Sequence, residues 1–177
     1  MNTAQPAAPA SADAPVPSPA PVKPSEQSQD ALDRAKGHGV LLFDGDCAMC
    51  NGFVQRFIAM DPTQALRYAP LQGSTAAEIF QRHGIRTQDS EKMLSGGVRL
   101  VQNFRQENER VLAGSDAALT ALSLTSGPAR QLHALMFIPR FIREWVYNKI
   151  AQNRYRIAGK MQQCAIPQPN QRHLFLP

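Results

Sequence analysis

A buried strand running directly into a Cys-x-x-Cys helix start constrains this chain more than any other feature. Gly39-Val40-Leu41-Leu42-Phe43 is a short apolar run, suited to a buried central strand. The turn-forming Asp44-Gly45-Asp46 ends it. A helical pattern follows, in which Cys50, Phe53, Val54, Phe57 and Ile58 recur at spacings of three and four. Asp61-Pro62 stops that helix, and Leu66-Arg67-Tyr68-Ala69 reads as a second strand ended by Pro70. A β-α-β unit of this kind pairs its strands in parallel through a right-handed crossover.

The pattern continues in order. Ser74 to His83 reads as a short helix with Ser74 as candidate cap and Gly84 as its stop. Gly97-Val98-Arg99-Leu100-Val101 alternates as a half-exposed strand should, and Arg110-Val111-Leu112-Ala113 is its expected hairpin partner. Ser115-Asp116 is expected to cap a further helix through Ala117, Leu119 and Leu122. Residues from about 128 to 160 read as helix, broken at Pro139, with Ile142, Trp145, Val146 and Ile150 as the inner face of the last piece. The order β-α-β-α-β-β-α predicts an α/β fold: a thioredoxin-like mixed sheet with flanking helices and a helical C-terminal extension.

The flanks differ from this core. Seven prolines fall between Pro6 and Pro24, in a stretch rich in Ala and Ser without hydrophobic periodicity. A disordered arm over residues 1–37, one domain over 38–164 and a tail over 165–177 is the expected organisation. With 177 residues, 43% of them apolar, the chain is long enough for one domain with a substantial core. No stretch approaches the roughly 20 apolar residues of a membrane span. Met1-Asn2-Thr3-Ala4-Gln5-Pro6 lacks the basic and apolar regions of a secretory signal, so a cytoplasmic location is expected.

Chemistry concentrates at Cys47 and Cys50. At a helix start, Cys47 faces unpaired backbone N–H groups and the positive end of the helix dipole. Both favour the thiolate, the species that attacks a disulfide. Cys50 lies one turn on along the same face, placed to attack the mixed disulfide and release the reduced partner. Asp46 is a good N-cap for this helix. From about 6 Å away, at an effective dielectric of about 20, its charge opposes a Cys47 thiolate by roughly 3 kcal/mol, against about 0.3–1 kcal/mol from the helix end. That balance favours a reducing enzyme over a strongly oxidising one. Asp44 has two readings: proton acceptor for Cys50 during resolution, or a turn residue satisfying backbone N–H groups.

The alternatives come from the remaining cysteine and the charge. Three cysteines do not suit a secreted disulfide scaffold. Structural zinc needs about four ligands, usually two close pairs, and Cys164, His38, His83, His133 and His173 supply no second pair. A non-enzymatic zinc-binding or redox-sensing module, docking through a basic C-terminal helical face, is the alternative reading. The net charge of +5 is an ordinary solvated face on this reading, and no nucleic-acid partner is expected. No glycine-rich phosphate loop precedes a helix, so no organic cofactor is expected. The partners are then a protein or small-molecule disulfide and a thiol electron donor.

At Phe43-Asp44-Gly45-Asp46-Cys47-Ala48-Met49-Cys50 the sequence resembles the DCC family of thiol–disulfide oxidoreductases, named for Asp-Cys-Cys. Further segments match in order: Tyr68-Ala69-Pro70-Leu71-Gln72, Gly114-Ser115-Asp116-Ala117, Ile138-Pro139-Arg140, the run from Tyr147 to Arg156, Gly159-Lys160 and Cys164. The resemblance covers about residues 39–164. It implies a thioredoxin-like fold, disulfide reductase chemistry at Cys47 and Cys50, and family positions at Asp44, Asp116, Tyr147, Asn153, Arg154 and Tyr155. Asn153, Arg154 and Tyr155 either fold over the thiols and shape substrate access or form a hydrogen-bonded helix end. Thioredoxins carry a cis-proline before the strand facing the thiol. Here Ser95-Gly96-Gly97 stands there without one.

Overall fold

A computed structural model describes residues 26–85, 97–159 and 168–177. Strand β1 (Gly39–Phe43) is buried along its whole length. It pairs in parallel with β2 (Leu66–Pro70), reached through helix α2 (Ala48–Met60). On its other side β1 pairs antiparallel with β3 (Arg99–Gln102), which forms the expected hairpin with β4 (Arg110–Ala113). The sheet order is β2-β1-β3-β4. This mixed four-stranded sheet is the thioredoxin-like plan foreseen from the element order.

Alternation along β1 divides the core in two, because successive side chains of a strand point to opposite faces. Val40 and Leu42 join Ala69, Ile79, Phe80 and Val101 on the face covered by α3 (Ser74–Arg82). Leu41 and Phe43 join Cys47, Cys50, Val54, Phe57, Tyr68 and Leu100 on the other. Helices α2 and α4 (Gly114–Ser123) pack there, and α5 (Arg140–Ala158) lies across both of them. The thiols thus sit between the sheet and its thicker helical layer.

The structure departs from the sequence reading at both flanks. Helix α1 (Glu26–Arg34) falls inside the stretch read as a disordered arm. The last proline before it is Pro24, and Leu32 and Ala35 bury themselves against Val40 and Leu42. Two well-placed apolar residues suffice where the sheet already offers a surface, even though they give little periodicity. The stretch read as a tail also packs. A 3-10 helix (Pro169–Leu174) leads to Phe175, whose ring meets Phe43 and Tyr68, and Leu176 N–H donates to the Tyr68 carbonyl at 2.8 Å. The carbonyl of Pro177 accepts from Thr75 N–H at 2.8 Å, and Gly73 rather than Ser74 is the N-cap of α3.

The final helices depart more strongly. Pro128–Phe137 is a 3-10 helix, and Pro139 separates it from α5 as expected. Ile142, Trp145, Val146 and Ile150, however, are exposed, Trp145 by 64%. The face of α5 turned inward carries Tyr147, Ala151, Arg154 and Tyr155 instead. Polar partners decide this orientation. Glu144 Oε1 accepts from Ser115 N–H at 3.0 Å and Ser115 Oγ at 2.5 Å, and Arg143 donates to Asp116 Oδ1 at 2.6 Å. Helix α4 is therefore capped from α5 and not by its own Ser115 or Asp116. Gly114, at φ +62°, leaves room for the Glu144 carboxylate, which would lie 2.6 Å from an added Cβ.

Candidate active site

The turn from β1 into α2 is built around Cys47. This residue, and not Asp46, is the N-cap of α2: its Sγ accepts the Cys50 N–H at 3.4 Å, and its backbone is extended. The helix opens one residue later than an Asp46 cap requires. Asn51, which the sequence reading missed, fixes the turn from below. Its Nδ2 donates to the carbonyls of Gly45 and Cys47 at 2.8 and 3.1 Å. A buried Asn four residues after the first cysteine was the available signal, since i and i+4 share a helix face. Asp46 is exposed. Its charge acts largely through water, and at about 6 Å in bulk water the opposition to a thiolate falls to about 0.7 kcal/mol.

Both cysteines are free thiols and both are buried, Cys47 at 0% and Cys50 at 6% exposure. Burial, then the hydrogen bond and charge of Cys47, push the Cys50 thiol up to about 12, with Arg154 pulling weakly the other way. Cys50 therefore holds its proton across the physiological range. The Cys50 N–H and the first turn of α2 lie where they would stabilise negative charge on Cys47 Sγ.

Asp44 is the centre of a buried polar cluster. Its Oδ2 accepts from Arg154 Nη2 at 2.7 Å and from the Tyr155 hydroxyl. Its Oδ1 accepts from Gln72 Nε2 and Asp46 N–H, both at 3.1 Å. Burial pushes this carboxyl up, but the Tyr155, Gln72, Asp46 and Arg154 hydrogen bonds together outweigh it and hold it below its ordinary value. Asp44 is thus an ionised acceptor with both oxygens engaged, an arrangement that makes a weak base. Gln72 also takes the Gly45 N–H on its Oε1 at 3.3 Å, tying the end of β2 to the thiol turn.

Of the three C-terminal positions, Arg154 and Tyr155 reach the thiol layer and Asn153 does not. Arg154 and Asp44 form an ion pair with side chains 3% and 2% exposed. The Tyr155 ring lies under the Arg154 guanidinium, 4.6 Å from its centroid, and packs against the cluster that holds both cysteines. Asn153 Nδ2 donates to the Lys149 carbonyl at 2.8 Å, back along its own helix. Cys164 lies outside the described residues. Among the described residues, no group of three or more His, Cys, Asp or Glu is placed to hold a metal ion.

Tyr147 stands where the sequence lacks the proline of thioredoxins. Its hydroxyl accepts the Val98 N–H at 2.9 Å, at the entry to β3. Burial, opposed by that hydrogen bond, raises its ionisation above the ordinary tyrosine value. Gly97 makes the contact possible. It sits at φ +82°, and an added Cβ would lie 2.1 Å from the Tyr147 hydroxyl.

Residues 41–160 match the DCC1-like thiol–disulfide oxidoreductase family. The protein YuxK of Bacillus subtilis, itself uncharacterised, is 33% identical over 138 residues, which span 78% of this chain and 93% of that protein. A chloroplastic DCC family protein of Arabidopsis thaliana is 30% identical over 128 residues, 72% of this chain and 69% of its own length. No solved structure matches this chain. The match spans the thiol turn, the sheet and α5 together, and the chain belongs to the DCC1-like thiol–disulfide oxidoreductase family.

Proposed function

We propose that this protein is a disulfide reductase in which Cys47 attacks and Cys50 resolves. The observation that carries the reading is the asymmetry of the pair: Cys47 Sγ receives a backbone N–H at a helix start, while Cys50 is held protonated. The Cys47 thiolate attacks one sulfur of a substrate disulfide, whose S–S bond breaks and whose other sulfur leaves as a thiolate and takes up a proton. Cys50 then gives up its proton to solvent and attacks Cys47 Sγ. The second substrate thiol leaves, two electrons have passed to the substrate, and the protein holds a Cys47–Cys50 disulfide. A thiol donor restores the dithiol by the same exchange in reverse.

In this reading Asp44 positions rather than transfers. Its ion pair with Arg154 and the Tyr155 hydrogen bond anchor the end of α5 over the thiols, and substrate reaches Cys47 when that end shifts. Asp46 lines the entrance from solvent, and Asn153 stabilises the helix. Such a dithiol works where thiols are kept reduced, as in the cytoplasm. The test is reduction of insulin disulfides with dithiothreitol as donor. Loss of activity in Cys47→Ser, with a trapped mixed disulfide in Cys50→Ser, is the expected result. Full activity in Cys47→Ser would overturn the assignment.

A further inference from the structure

The outer side of α5 carries two parallel rows at four-residue spacing, which places their side chains one above the other. One is Phe141-Trp145-Lys149 and the other Ile142-Val146-Ile150. All six side chains are exposed, Phe141 by 75%, and Phe137, just before the helix, is exposed by 93%. Isolated exposed apolar residues need no explanation, but a contiguous aromatic and aliphatic patch marks an interaction surface.

Charge says what kind of surface it meets. Residues 128–158 contain Arg130, Arg140, Arg143, Lys149, Arg154 and Arg156 against a single acid, Glu144. Glu144 is turned inward to Ser115, and Arg143 and Arg154 are engaged with Asp116 and Asp44. Arg130, Arg140, Lys149 and Arg156 are all exposed, with Arg140 Nε also 3.3 Å from Asp116 Oδ2. Lys149 sits 6.0 Å from the Trp145 ring centroid, a cation beside an amphipathic aromatic. A second copy of this chain, docked face to face, would set this basic rim against itself. Residues 1–25 hold nothing larger and apolar than Met1, Val16 and Val22, too little to cover an aromatic and an aliphatic row.

We propose that this face docks on an anionic lipid bilayer surface, with α5 lying in the interface plane. Apolar and aromatic side chains enter the headgroup boundary while the basic rim meets anionic headgroups. The helix lies on the membrane and does not cross it, as no helix among the described residues is long and apolar enough to span. The inward side, with Tyr147, Arg154 and Tyr155, keeps its contacts in this arrangement.

Trp145 is the only tryptophan of the chain, so its emission reports the patch directly. The full-length protein is titrated with phosphatidylcholine vesicles with and without phosphatidylglycerol. The expected result is a blue shift with the anionic vesicles, reversed at about 1 M salt, where the Debye length shrinks to about 3 Å. Phe137→Ser/Phe141→Ser, which removes only exposed rings, is expected to weaken partitioning by about tenfold or more while circular dichroism stays native. No shift on anionic vesicles with native dichroism overturns the proposal. An equal shift on pure phosphatidylcholine overturns the charge argument. A blue shift that grows with protein concentration in the absence of lipid, with a dimer in sedimentation, assigns the face to a second copy and also overturns it.

Discussion

Replacing Arg154 by methionine keeps most of its length and apolar stem and removes the charge that pairs with Asp44. Both side chains are almost wholly inaccessible and their contact is 2.7 Å. Removing one partner from such a buried pair costs about 3–5 kcal/mol, because the other charge stays buried without its counterion. Asp44 keeps the Tyr155, Gln72 and Asp46 donors, which places the cost at the lower end, about 3 kcal/mol. For a chain of this size that lowers Tm by about 6–12 °C. The pH dependence follows from Asp44. Its folded pKa lies below the unfolded value, so its stabilisation is complete above the unfolded carboxylate pKa of about 4 and is lost as pH falls through the folded value. Without Arg154 the burial effect meets fewer donors and the folded pKa rises, so acid costs the variant less. The stability gap between parent and variant is expected to narrow below about pH 4. Urea unfolding at pH 7 and at acid pH, with reductant present, measures both. A cost under about 1 kcal/mol at pH 7, as for a surface pair, would refute the reasoning. An Asp44→Asn/Arg154→Met variant as unstable as the sum of its singles would do the same.

The other expectations follow from single contacts. Gly97→Ala forces a Cβ onto the Tyr147 hydroxyl at a left-handed φ, and a loss of about 2 kcal/mol or more in urea unfolding is expected, partly recovered by Tyr147→Phe; an unchanged midpoint would contradict the contact. In a Cys164→Ser background, thiolate absorbance below about pH 10 is expected to account for no more than one sulfur, since Cys50 ionises near 12; an amplitude of two thiolates would contradict this. Glu144→Ala leaves the first turn of α4 without its acceptor and is expected to cost about 1–2 kcal/mol in thermal unfolding.

What was legible in the sequence was what depends on neighbours in the chain. The all-apolar β1, the Cys-x-x-Cys start of α2, the proline that ends β2 and the β3–β4 hairpin each announce themselves within a few residues, and the sheet order follows from them. What was not legible depends on contacts made across the chain. The cap of α4 comes from Glu144, 29 residues beyond Ser115, so Ser115-Asp116 looked like a local cap. The exposed side of α5 was misread because apolar periodicity reports a stripe and not what covers it. Polar partners on its other side, Glu144 and Arg154 among them, set the rotation. At the thiols Asp44 was legible from its place at the end of β1, whereas Arg154 and Tyr155 were singled out by family resemblance alone. Their mutual contact spans 110 residues, and no local rule encodes it.

That span has a consequence for synthesis. The chain emerges from the ribosome N-terminus first, and domains can begin to fold as they appear. The strand and helix that present Cys47 and Cys50 are complete by Met60, and the sheet closes with β4 at Ala113. Arg154 and Tyr155 follow much later. For that interval a nascent chain carries the cysteine pair without Tyr155 packed against its cluster, and Asp44 without its counterion. The dithiol then meets oxidants and other nascent thiols with less of its packing in place than in the finished protein, where α5 adds Tyr155 to the cluster around both cysteines.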